Sequence, residues 1–238
     1  MRLERLDILR GGAIILMVLF HLNYSLVHIF NNEVLNFSQN FWFYEGRISA
    51  LLFIFIWGFS FFLAEQKHWA GVLKRYLKIS SVLWTIALLI SIITYNFFPE
   101  QYIRFWIIHF FSISFLLLIL FRKLRRYNFL FGILIIVYGF YFIPVIDNQY
   151  FYFMGFVYPT FLSADFYPLF PYFWVMLLGY SFAIFMKTWK YLHILEMKKE
   201  RNRGEDFFIF LWRRSLLIYL IHQPVIIGFL YLLSTMKA

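Results

Sequence analysis

The sequence predicts an all-α fold: a polytopic integral membrane helical bundle of about seven transmembrane helices, forming a single domain over residues 1–238. Three observations lead there. Hydrophobic residues make up 63% of the chain, charged residues only 14%, and the mean hydropathy is +0.72, whereas a soluble domain needs far more polar surface. The apolar runs are long and unbroken rather than alternating, which selects helices over a barrel. Lys and Arg are distributed with a strong sidedness that matches alternate connecting loops.

The expected spans are residues 8–30, 46–64, 73–95, 103–121, 127–143, 168–187 and 207–233. With the N-terminus in the cytoplasm, 19 of the 22 Lys and Arg fall inside, and only Arg47, Arg104 and Lys237 fall outside. The positive-inside rule therefore sets the orientation, with the C-terminus outside. The first apolar segment lacks a small-residue cleavage site and is too long for a signal-peptide core, so it reads as a retained span. The fifth span is the weakest, because Pro144 ends it and the aromatic stretch QYFYFMGFVYPTFL follows. That stretch is too short and interrupted to cross and reads as interfacial or re-entrant. Trp42, Tyr44, Tyr95 and Tyr102 fit an outer aromatic belt, and Trp69, Tyr76, Tyr127 and Trp212 an inner one. The formal net charge of +10 is topogenic, so membrane lipid, and anionic lipid in particular, is the expected partner and nucleic acid is not. The absence of Cys excludes disulfides, thiolate metal sites and cysteine nucleophiles.

Ionisable groups at membrane depth are costly and mark functional sites by default. Arg10 and His21 stand eleven residues apart in the first span, a rise of about 16 Å on nearly one helix face. A cation at the membrane edge then looks along the helix toward a titratable base. His109, His222 and Asp165 are placed by the span boundaries in the same outer half of the bilayer, with Arg47 and Arg104 capping spans on that side. Structural readings stand beside these. Arg10 can snorkel to lipid phosphates, His21 and His109 can hydrogen-bond across helix interfaces, and His222 can serve the kink at Pro224. Gly11, Gly12, Gly58, Ser60, Gly179 and Ser181 read as sites of close helix approach. No two histidines have helical ligand spacing, so no metal is expected, and no serine sits in a nucleophile elbow. No internal repeat of the kind many secondary transporters show is visible.

The motifs LDILRGGAIILMVLFH, GRISALLFIFIWGFSFFLA, YIRFWIIHFFSISFLLLIL, SADFYPLFPYFWVMLLGYSFA and RRSLLIYLIHQPV occur in this order along the chain. Together they resemble the prokaryotic membrane proteins grouped with the heparan-alpha-glucosaminide N-acetyltransferase catalytic domain, once a domain of unknown function. The spacing of Arg10 and His21 is also similar to the opening helix of the membrane acyltransferase-3 family. The resemblance implies acyl transfer, by default of an acetyl group, from a coenzyme A thioester to a hydroxyl or amine of a glycan or lipid-linked acceptor at the cell membrane. It carries over His21, His109, Asp165 and His222 as catalytic positions and Arg10 as a donor-phosphate ligand. Two departures are that Trp106 replaces a small residue before His109, and that fuller relatives have about ten spans. The chemistry of the residues is compatible. A neutral histidine suits deprotonation of an acceptor near pH 7, and Arg10, Arg75 and Arg213 lie at the cytoplasmic edge where phosphates of the donor would rest. The alternative is a non-enzymatic transporter or flippase with a histidine-lined site. A homo-oligomer is compatible with either reading.

Overall fold

A computed structural model describes residues 3–30, 39–66, 69–142, 150–157, 159–163, 165–195 and 202–236. They form eight α-helices: α1 (Glu4–His28), α2 (Gln39–Glu65), α3 (Trp69–Phe97), α4 (Ile107–Phe121), α5 (Tyr127–Phe142), α6 (Leu169–Thr188), α7 (Arg203–Arg213) and α8 (Ser215–Thr235). Six of these, α1 to α4, α6 and α8, are long and apolar enough to cross a membrane. The described residues fall into two compact units, Met1–Phe53 with Lys190–Ala238, and Ile54–Trp189; the division lies inside α2.

In the first unit, α1 opens with Glu4 and Asp7 in its first turn, where carboxylates favour the positive end of the helix. Arg5 donates to the Ile194 carbonyl, tying α1 to the short 3₁₀ turn Tyr191–Leu195. Helix α2 runs antiparallel to α1: Ser49 donates to the buried Ala13 carbonyl at 2.9 Å, and Gly46 seats the Phe20 ring. Helix α8 runs parallel to α1, since Trp212 meets Arg10, His222 meets His21, and Gln223 meets Ser25. The expected span 207–233 is corrected here. Residues Arg203–Arg213 form a separate amphipathic helix, α7, and the spanning helix starts at Ser215 after non-helical Arg214. A capping box fixes the start of α7: Glu205 N–H donates to Asn202 Oδ1, and Asn202 N–H donates to Glu205 Oε2. Helix α7 packs on α1 where Gly11, having no Cβ, admits the Phe208 carbonyl. Gly12 faces open space.

In the second unit, α3 and α4 are antiparallel and clasped by a reciprocal pair, Ser80 Oγ to the Ser112 carbonyl (2.6 Å) and Ser112 Oγ to the Ser80 carbonyl (2.9 Å). Helix α4 begins at Ile107, four residues later than expected, because residues 103–106 instead run beside the start of α6. There Tyr167 N–H donates to the Phe105 carbonyl, in a parallel bridge of Phe105 with Phe166. At the other end of these helices, the Tyr180 hydroxyl reaches the Arg122 carbonyl. Helices α4 and α6 therefore run parallel, and the chain between them must return along their length. Helix α5, with 16 residues and about 24 Å of rise, matches the 15 residues and about 22 Å of α4. It falls short of the six candidate spans, among which the α4 segment continues through the 3₁₀ turn to Leu124. Residue 143 and Pro144 lie outside the described residues. The aromatic stretch is not a span. Beyond the 3₁₀ turn Tyr152–Met154 it ends at Leu162 and Ser163, which bind Arg104.

Helices α2 and α6 approach through Gly58 and Gly179. A Cβ on Gly58 would collide with the Met176 carbonyl, and one on Gly179 with the Phe55 carbonyl. Such contacts replace the hydrophobic drive that lipid removes between helices. Tyr180, fully buried, closes this junction by donating to Glu65 Oε1 at 3.0 Å, and Lys187 bonds Gln66 at the helix ends. Gly58→Leu is expected to lower stability by about 1–3 kcal/mol or prevent folding. Gly12→Ala should leave the melting temperature of the detergent-solubilised protein unchanged.

Parallel α1 and α8 put Glu4 and Thr235 at opposite ends of that pair. Reporters fused at the two termini should therefore lie on opposite sides of the membrane, and one inserted near Asn202 on the N-terminal side. Both termini on one side would mean that α5 does not cross.

Candidate active site

The expected site residues separate into two groups, one in each unit. In the first unit, α1 and α8 bring His21 and His222 together, ring centroids 4.7 Å apart and edge to face. His21 Nδ1 lies 2.9 Å from the Met17 carbonyl, and His222 Nδ1 lies 2.8 Å from the Tyr219 carbonyl and 3.2 Å from that of Ile218. A carbonyl only accepts, so Nδ1 carries the hydrogen in both rings, and the neutral imidazoles each present Nε2 as the basic nitrogen. His222 is buried and its Nε2 has no hydrogen-bond partner; His21 is half-buried. Ser25 donates to Gln223 one turn farther along, holding the two helices in register.

Arg10 lies at the other end of the same helix pair. It is 7% exposed, pairs with Asp7 at 2.6 Å, and places its guanidinium 4.2 Å from the centre of the Trp212 ring. Arg213, next to Trp212, is exposed. The arginine is thus already neutralised by a carboxylate and covered by an indole, an arrangement the sequence pattern did not suggest. From Arg10 to His21 is eleven residues of continuous α1, a rise of about 16 Å, whereas the ten residues from Trp212 to His222 cross the break at Arg214.

In the second unit, His109 and Asp165 lie on either side of the Phe105–Phe166 bridge near the start of α4. His109 is the third residue of that helix, stacks on Phe105 with centroids 5.5 Å apart, and meets Trp84 edge-on. Its Nδ1 accepts from the Trp106 main-chain N–H at 3.4 Å, a capping contact at the helix terminus. Asp165 adjoins Phe166 of the parallel bridge, and its carbonyl accepts from Ser163. Arg75 also belongs to this unit, exposed with Lys74 and Lys78 on one face of α3. Among the described residues no group of His, Asp and Glu is arranged to hold a metal ion.

Sequence reasoning missed two polar residues of the first unit. Glu45 was placed outside the second span, but α2 begins at Gln39 and carries it into the helix. Both its carboxylate oxygens are buried without a hydrogen-bond partner, as is Oδ1 of buried Asn23. The signal available was an acid beside one apolar run and an amide within another; a misplaced boundary hid only Glu45.

No curated protein and no solved structure matches the chain. The family model described as heparan-alpha-glucosaminide N-acetyltransferase, catalytic, matches residues 2–224. That match runs from the Arg10 helix through His222, and the chain belongs to the heparan-alpha-glucosaminide N-acetyltransferase catalytic family.

Proposed function

We propose that this protein is a cell-membrane acyltransferase of one functional domain. It moves an acetyl group from acetyl-coenzyme A, bound from the cytoplasmic side, to an amine or hydroxyl of a glycan or lipid-linked acceptor. The observation that carries the reading is the His21–His222 pair, two imidazoles with their Nδ1 hydrogens held by main-chain carbonyls and their Nε2 atoms left as bases. Family membership supplies the reaction class.

In the simplest sequence, His21 Nε2 takes the proton of the acceptor N–H or O–H as the heteroatom attacks the thioester carbonyl carbon. The C–S bond breaks, and His21 returns that proton to the departing sulfur. Products are the acetylated acceptor and free coenzyme A, with His21 regenerated. The same nitrogen is the one that would carry the acetyl group in a two-step transfer. General-base assistance of this kind contributes about 10²–10⁴-fold. His222 lies beside His21 as a second proton acceptor. His109 and Asp165 are further positions that the family motifs carry over, with roles in orienting or protonating.

For the donor phosphates we assign Arg10 and Arg213, with Arg75 a further cation on the cytoplasmic side. The N-terminus is cytoplasmic by the charge asymmetry. Asp7 competes with a phosphate for the Arg10 guanidinium, and this competition separates a ligand role from a merely structural one. Coenzyme A should raise the melting temperature of the purified protein. Arg10→Ala should weaken its binding about tenfold or more, the scale of one charged hydrogen bond. Asp7→Asn should preserve or tighten it. If Asp7→Asn weakens binding as much as Arg10→Ala, the pair serves only to pin α7 to α1. Absence of any coenzyme A stabilisation would favour a transporter.

His21→Gln keeps hydrogen-bonding capacity but cannot take up a proton at neutral pH. It is expected to lower transfer by about 10²-fold or more while leaving coenzyme A stabilisation intact, because the phosphates bind about 16 Å away along α1. Near-full activity in His21→Gln would move the base to His222.

A further inference from the structure

An arginine near a membrane surface can reach lipid phosphates by letting its long side chain snorkel, with nothing in the protein to hold it. Arg104, in the second unit, is instead fixed by its neighbours. Its main-chain N–H donates to Ser163 Oγ at 3.2 Å, and its Nε donates to the Leu162 carbonyl at 3.1 Å. Its guanidinium carbon lies 4.6 Å from the centre of the Tyr102 ring and 5.4 Å from that of Phe161. Ser163 donates in turn to the Asp165 carbonyl at 2.7 Å.

A guanidinium has five N–H donors. This arrangement uses the one on Nε, and among the described residues neither a carboxylate nor a carbonyl takes those on the two terminal nitrogens. Arg10 is the contrast, since Asp7 already balances its charge. A planar fork with its charge unbalanced matches a phosphate, which it can bind through two parallel hydrogen bonds. Folding has already ordered the side chain, so binding does not bear that entropy again.

Arg104 stands three residues before α4, and the basic turn Arg122–Arg126 follows the far end of that helix. The charge asymmetry puts that turn in the cytoplasm and Arg104 on the outer side. The end of α3 is beside it, where Ile103 N–H donates to Thr94 Oγ1 at 3.1 Å and Tyr95 meets Tyr102 edge-on. Tyr95, Phe97, Phe98 and Leu162 are each more than half exposed. Aromatic residues of this kind settle at the bilayer interface, which is the depth of lipid phosphates.

We infer that Arg104, held between Tyr102 and Phe161, binds the phosphate of an anionic membrane lipid in the outer leaflet. A choline lipid balances its phosphate with its own ammonium, whereas an anionic lipid leaves the phosphate charge for the protein. Arg104 adjoins Phe105, on which His109 stacks, and is bonded to Ser163, which binds Asp165. Under the acyl-transfer reading, on which this last step rests, the lipid is the phosphate-bearing anchor of a lipid-linked acceptor.

The test uses the full chain in phosphatidylcholine nanodiscs with an increasing share of phosphatidylglycerol, read as melting temperature. Arg104→Lys keeps the charge and loses the fork. It should raise severalfold the share of phosphatidylglycerol that gives half of the stabilisation. Arg126→Lys, the same exchange at an exposed residue of the cytoplasmic turn, should leave that share unchanged. If Arg104→Lys does not fold, Phe161→Leu removes one stacking ring and should shift the share less, in the same direction. Inorganic phosphate titrated into pure phosphatidylcholine nanodiscs should not stabilise the protein; a response to it in place of one to phosphatidylglycerol overturns the lipid assignment. If Arg104→Lys lowers the melting temperature equally in both lipids and the half-maximal share stays put, Arg104 only pins residues 161–163 and the site is overturned. Coenzyme A stabilisation, read in the same samples, should not change in Arg104→Lys. Its persistence without a lipid effect removes only the site, whereas a lipid effect without it removes the acyl-transfer reading and leaves the site.

Discussion

Inside a bilayer, a hydroxyl, an imidazole or an amide must find its hydrogen-bond partner within the protein, because the hydrocarbon supplies none. Much of this structure is ordered by that constraint. Ser60, Ser81, Thr85 and Thr188 donate to carbonyls one turn back on their own helices, which satisfies these hydroxyls locally. Ser80 and Ser112 donate across to each other's carbonyls, and Ser49 to Ala13, so these hydroxyls also fix helix pairs. The same rule prepares the histidines. A carbonyl that can only accept compels Nδ1 of His21 and of His222 to donate, and so determines which nitrogen of each ring is the base. Polar atoms left outside this scheme are informative because the rule is otherwise followed around them.

The path of the chain follows from a second consequence. Without a hydrophobic drive between helices in lipid, close contact depends on small residues and short polar links. Gly58 and Gly179 let α2 and α6 meet backbone to backbone, and Tyr180 ties the end of that contact to Glu65 and to the Arg122 carbonyl. The Tyr180 link and the Phe105–Phe166 bridge hold opposite ends of α4 against α6 in parallel. A parallel pair separated by one helix requires that helix to run back. Helix α5 therefore runs antiparallel to both, with direction imposed by its neighbours.

Composition, charge asymmetry and helix class were legible in the sequence, as were the glycines at 11, 58 and 179, because membrane helices and small-residue contacts depend on local pattern. Positions that depend on exact helix ends were not. Helix α2 begins at Gln39, which draws Glu45 inside and buries Trp42, read from sequence as part of the outer belt. Helix α4 begins at Ile107, which turns His109 from a mid-helix candidate into a residue of the first turn. Arg214 leaves helical geometry and divides one expected span into α7 and α8. Equal bilayer depth brought His21 and His222 into consideration together, but so it did His109 and Asp165. Contact order along α1 and α8 pairs the first two, and the Phe105–Phe166 bridge accounts for the second two.

The break at Arg214 also lets α1 hold two separate contacts, one at each end. Helix α7 lies against the start of α1 and delivers Trp212 onto Arg10, while α8 starts three residues later and runs alongside α1 to deliver His222 to His21. Had residues 207–233 been one continuous spanning helix, Trp212 and His222 would be ten residues apart on one rod, at a fixed angle of about 80° around its axis. A non-helical residue between them frees the two contacts to be made independently, each against its own turn of α1. The rise along α1 then sets a separation of about 16 Å between a cation and a base. Asp7 and Trp212 hold the cation at one end, and main-chain carbonyls orient the base at the other. In the proposed reaction, binding of charge and movement of protons would thereby be kept apart on a single helix.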